Sequence, residues 1–190
     1  MSEQSPAQPG FGNRDPARAG SLLNEVIRWE HRSISLSPRD FRMTSRLSRL
    51  YANRYEVSRR EEDLRASIDW ASRALEINPY SAEILWDRAG LLILDRRLRE
   101  AENDLERAVT IEPNFCRGYA KLAGLTKGKD EPRFRVWEDR AEECRGAAKG
   151  RSLGESERWL VEDPEPVSIP AAGRNEDGEP VLPSGFSPSR

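Results

Sequence analysis

The chain has 190 residues, 36% of them hydrophobic, with a mean hydropathy of −0.79 and a formal net charge of −2. That length suits one medium domain or a short repeat array, with a core that is small relative to the chain. The near-neutral total gives no reason to expect nucleic acid or acidic lipid as a partner, and the longest apolar run, Ala89 to Leu94, is far short of the ~20 residues that span a bilayer.

Residues 1–19, "MSEQSPAQPGFGNRDPARA", are rich in Pro, Gly and polar residues and read as disordered. They contain no apolar stretch that would serve as a signal sequence, which favours a cytoplasmic protein. Residues 1–60 carry eleven Arg against six acids, a net +5, and residues 151–190 carry four Arg against eight acids, a net −4. Solvated surface charge accounts for both ends.

From residue 20 to 149 helical periodicity is nearly continuous, and there are only four prolines: Pro38, Pro79, Pro113 and Pro132. The first three close a recurring phrase: "HRSISLSP" at 31–38, "SRALEINP" at 72–79 and "ERAVTIEP" at 106–113. Proline cannot continue a helix, so each phrase reads as a last helical turn followed by a stop. Pro79 and Pro113 are 34 residues apart, room for two helices.

In 80–113, Leu85, Ala89 and Leu92 share one face of a first helix, and Ala101, Leu105, Ala108, Val109 and Ile111 share one face of a second. In 39–79, Ser67, Ala71, Ala74, Leu75 and Ile77 repeat the second pattern, while Leu47, Ser48 and Tyr51 suggest the first. This unit is seven residues longer, about two helical turns, to be absorbed by longer helices or a longer turn near "EVSRREED". In 114–149, Tyr119, Leu122 and Ala123 precede a stripe of Phe134, Trp137, Ala141 and Cys144. Residues 20–38 offer a second helix only. Residues 150–190 hold six prolines and read as an acidic, disordered tail, except for "ESERWLV" at 155–161, which could form a short helix or an adhesive stretch.

The period and these residues resemble the tetratricopeptide repeat, a helix-turn-helix unit of 34 residues. The small and proline positions that carry the resemblance are Ala74, Pro79, Ala89, Ala101, Ala108, Pro113 and Ala141. Small residues are needed where two helices cross closely. In the turn where family members often have Gly, Arg96-Arg97 stands instead. The resemblance implies an all-α fold: a short right-handed α-solenoid of helix pairs with disordered termini. Its parts would be a disordered segment at 1–19, a repeat domain at 20–149 and a Pro-rich tail at 150–190. The repeat domain would comprise a capping half repeat (20–38) and repeats at 39–79, 80–113 and 114–149.

Little in the chain points to catalysis. There is no nucleotide-binding glycine loop. His31 is the only histidine, and it reads as a surface helix residue. Cys116 and Cys144 lack neighbours at zinc-ligand spacing, and they read as small buried thiols in a reducing compartment, with a disulfide the minor alternative. Glu100, Glu102, Asp104 and Glu106 read as the wet side of a helix laced with arginines. No enzyme, cofactor or metal is expected.

The resemblance implies a concave groove, lined by first helices, that holds a peptide or partner helix. Here it would offer Arg42, Ser45, Arg46 and Arg49, then Glu83, Trp86, Asp87 and Gly90, then Arg117, Ala120, Lys121 and Gly124. Arg42, Arg46 and Arg49, with Arg39 a turn earlier, would make an electropositive end, and Trp86 a flat anchor. Arg117 and Lys121 resemble part of the carboxylate clamp of chaperone-binding members, but Ser45, Arg49 and Asp87 depart from it. The expected partner is therefore a protein or peptide of unknown identity. Two alternatives stand beside this adaptor, along with autoinhibition by the acidic tail at 150–190 lying in the basic groove. One is a soluble module resembling, in "NPYSAE", the tail of bacterial membrane enzymes that polymerise or ligate surface polysaccharide. The other is a self-associating scaffold that docks through 20–37 or through Trp159, Leu160 and Val161. Arg outnumbers Lys 27 to 4, a bias of GC-rich bacterial genomes.

Overall fold

A computed structural model describes residues 16–149, together with 158, 160, 161, 173–174 and 180–181. The fold is all-α: α1 (Pro16–Leu36), α2 (Phe41–Ser58), α3 (Glu61–Ile77), α4 (Ala82–Leu94), α5 (Leu98–Ile111), α6 (Cys116–Thr126) and α7 (Glu131–Ala148). The strands described are a two-residue antiparallel pair, β1 (Gly173–Arg174) and β2 (Pro180–Val181). Two compact units divide between Ile111 and Glu112, so α1–α5 belong to the first and α6–α7 to the second. The helix α1 begins at Pro16, so residues 16–19, expected in the disordered segment, are helical. Proline is tolerated there because the first helical N–H has no intrahelical acceptor. In the expected disordered tail, β1, β2 and helical Arg158, Leu160 and Val161 are described, with Leu160 buried; the rest of the expected disordered segments, Trp159 included, lies outside the described residues.

The recurring phrase marks helix ends. Pro38, Pro79 and Pro113 each lie two residues past the last helical residue, after Leu36, Ile77 and Ile111. Helix starts are capped in turn: Asp40 accepts from the Arg42 N–H, Ser81 from the Ile84 N–H and Asp130 from the Arg133 N–H. The seven extra residues of 39–79 went into the helices, not the turn. The pair α2 and α3 has 18 and 17 residues against 13 and 14 in α4 and α5, and its turn is one residue shorter. Both turns carry an arginine in the left-handed region, Arg59 at φ 54° and Arg96 at φ 60°. Glycine would adopt that conformation without steric cost.

In the first unit, successive helices pack on one another from α1 to α5. The α4–α5 pair closes over Leu85, Ala89, Ala101, Leu105 and Ala108, all at most 1% exposed. In the α2–α3 pair the buried positions equivalent to Ala89 and Ala101 are Ser48 and Ser67. Each hydroxyl donates to the other residue's carbonyl at 2.8 Å, so two polar groups are buried without loss.

In the second unit α6 and α7 form a hairpin turned by Gly128 at φ +73°. Tyr119 and Trp137 stack at 6.1 Å between ring centroids, and burial pushes the Tyr119 phenol above its ordinary pKa, with Arg140 opposing. Within α7 itself only Ala141 is buried. The open end of this hairpin corrects one expectation: Cys116 and Cys144 are joined by a disulfide, their Cα atoms 5.3 Å apart. They are not separate thiols, and they no longer argue for a reducing compartment. A cross-link over 28 residues removes chain entropy worth about 3–4 kcal/mol, which matters where a helix buries so little. Cys144→Ser, or reduction, is therefore expected to speed hydrogen exchange across α7 markedly while exchange in α4 and α5 is unchanged.

Candidate partner-binding face

The α2 and α4 residues expected to line a groove begin at equivalent caps, Asp40 and Ser81, so Arg42, Ser45, Arg46 and Arg49 occupy the places of Glu83, Trp86, Asp87 and Gly90. The structure gives them unequal roles. Ser45 is buried. Arg46 reaches back to α1, its Nε 2.8 Å from the Oε1 of buried Glu30, and that hydrogen bond raises the guanidinium pKa. Arg49 crosses to α4, where it donates to Asp87 Oδ2 at 2.8 Å and to Glu83. Burial lowers the Arg49 pKa, but Asp87 and Glu83 outweigh it and leave it raised.

The expected electropositive end is thus corrected: two of its arginines are spent on carboxylates of the same unit. Arg39 and Arg42 have no carboxylate partner among the described residues, and Arg42 lies 5.5 Å from the Phe41 ring centroid. Trp86 is half-buried. One turn further along α4, Gly90 is exposed, and a Cβ built on it would meet nothing within 4 Å. Gly124 stands in the same repeat place 34 residues on, equally unobstructed. Arg117 is half-buried and Lys121 exposed on α6 in the second unit.

Sequence reasoning missed the buried charges. Glu30, Asp63 and Asp104 are at most 5% exposed, and each meets an arginine of a neighbouring helix. Asp104, expected on the wet side of α5, receives Arg88 Nε at 2.7 Å and Nη2 at 2.6 Å, while Arg88 Nη1 donates to Ser72. A signal was present: Asp104 lies three residues after Ala101 and four before Ala108, on their face. Asp63 receives Arg54 Nε at 2.8 Å and the Ser58 hydroxyl at 2.8 Å. His31 also departs from its expected surface place. It is half-buried, its Nε2 2.9 Å from the Tyr51 hydroxyl and its ring edge-on to Trp70 at 5.2 Å. It packs α1 against α2 and α3. Among the described residues no three His, Cys, Asp or Glu side chains are grouped to hold a metal ion, and no helix is long and apolar enough to cross a membrane.

Removing Arg88 leaves Asp104 buried and unpaired, a cost of about 3–5 kcal/mol, whereas removing Arg49 breaks only half-exposed contacts worth about 0–1 kcal/mol. Urea unfolding of Arg88→Ala and Arg49→Ala is expected to show that contrast.

No family model matches the chain, and no curated protein matches it in sequence. Solved structures do match. One titled "MamA RS-1 ArsTM double mutant" aligns over 71% of this chain and 72% of its own, at 12% identity and a TM-score of 0.58. Another, "MamA MSR-1 C2", aligns over 64% and 69%, at 17% identity and a TM-score of 0.51.

Proposed function

We infer that the fold is built of tetratricopeptide-like helix pairs, a reading supported by the similarity to these structures, which at such identities speaks for the fold alone. Beyond the fold, we propose that the chain is a non-catalytic adaptor that binds a peptide or partner helix across the inner face of α2 and α4. Its repeat units are 39–79 and 80–113, followed by 114–149.

One observation carries this reading. Gly90 sits inside α4, where glycine costs roughly 1 kcal/mol relative to alanine, yet among the described residues nothing lies within 4 Å of where its Cβ would stand. Gly20, Gly124 and Gly146 are equally open, and what sets Gly90 apart is its place one turn from Trp86, where a partner backbone approaches the ring. Trp86, one turn away on the same stripe, gives that backbone a half-exposed aromatic surface. Arg49, fixed by Glu83 and Asp87, borders the face as an ion-paired strip, while Arg42 is left to meet an acidic group of the partner. Ser45 lies buried beneath the face, and exposed Arg46 ties it to Glu30 of α1. Arg117 and Lys121 have the same role, by repeat position, within the second unit. An open face of this kind binds at roughly −8 kcal/mol, in the micromolar range.

The test is capture from a bacterial lysate with the wild type, Trp86→Ala, Gly90→Glu and Arg107→Glu, the last on the outer side of α5. Proteins held by the wild type and Arg107→Glu but lost from the other two support the face. Recovery of the same proteins by all four rejects it.

A further inference from the structure

The helix α1 packs on α2 through Ile27 and Glu30, which are 4% and 5% exposed. A second stripe on the same helix is left largely exposed. Leu22, Val26, Trp29 and Leu36 are 55%, 46%, 62% and 80% exposed. Their spacing, with Ser33 included, runs four, three, four, three. That is the seam of a coiled coil, narrower than the apolar face of a helix seated in a globular core. Over residues 22 to 36 the seam is about 21 Å long at ~1.5 Å per residue. Ser33, its polar position, already donates its hydroxyl to the Trp29 carbonyl at 3.1 Å. Burying this seam therefore leaves no hydroxyl donor unmet.

We propose that this stripe is the interface for a second copy of the same chain, with the two α1 helices antiparallel about a two-fold axis. The charges beside the seam select this occupant. In the antiparallel register Val26 faces the partner's Trp29, and Leu22 faces the partner's Ser33. Two-fold symmetry makes each contact occur twice. That register brings Glu25 alongside the partner's Arg32, and Arg32 alongside the partner's Glu25. Both are exposed, and neither has an ion-pair partner within the protomer among the described residues. A bilayer surface would call for basic side chains along the polar side. Instead α1 alternates sign, with Glu25, Arg28, Glu30 and Arg32.

The experiment is sedimentation equilibrium of the full chain from micromolar to high micromolar concentration. The wild type is expected to form a dimer reversibly. Trp29→Glu is expected to be monomeric, with unchanged helicity because Trp29 is exposed. Glu25→Arg and Arg32→Glu each create two like-charge contacts and should weaken the dimer at least about tenfold. The double variant Glu25→Arg, Arg32→Glu should restore it, a rescue that only this pairing produces. A monomeric wild type overturns the proposal, as does a dimer indifferent to Trp29→Glu. Failure of the double variant to restore association overturns it as well. So does a monomer that binds anionic phosphatidylglycerol vesicles through Trp29, since the stripe would then serve a lipid surface.

Discussion

Two antiparallel helices can nest only where neither carries a long side chain at the crossing, and the rest of this fold follows from that constraint. Ala89, Ala101 and Ala108 meet it in the α4–α5 pair, Ser48 and Ser67 in the α2–α3 pair. Serine serves because its hydroxyl is barely larger than a methyl group and finds a carbonyl on the opposite helix. Close crossing consumes one face of each helix and turns another away from the core. In α4 the face turned away from the crossing holds half-buried Trp86 and exposed Gly90.

Charge is distributed by the same geometry. Where α4 meets α5, Asp104 is buried and is met by Arg88, which also reaches Ser72 on α3. One side chain thereby ties three helices. A buried pair of this kind adds little net stability but tolerates no change to one partner alone. On the open face, Arg49 instead bridges α2 and α4 in partial contact with water, where it sets the character of the surface more than its stability.

Much of the architecture was legible because it follows from local chemistry. Prolines placed two residues after Leu36, Ile77 and Ile111 announced the helix ends, and alanines at three- and four-residue spacing announced the crossings. The 34-residue repeat announced the pairing. What was not legible depends on lateral register between helices distant in sequence. Nothing near Arg49 indicates that it meets residues 34 and 38 positions away. His31, read from its own helix, looks like surface, and becomes packing only when Tyr51 and Trp70 arrive from two others. The disulfide escaped for the same reason: 28 residues separate Cys116 from Cys144, and only an antiparallel hairpin of this length makes them neighbours. The glycines were visible as letters, but their open surroundings were not.

The α4–α5 crossing is full, while the position of a Gly90 side chain is open among the described residues. Urea unfolding of Ala108→Leu beside Gly90→Leu tests both halves at once. Ala108→Leu should lose about 1–3 kcal/mol through overpacking, while Gly90→Leu should lose nothing and gain up to about 1 kcal/mol from helix propensity. Equal destabilisation by the two, or a tolerated leucine at 108, would contradict it.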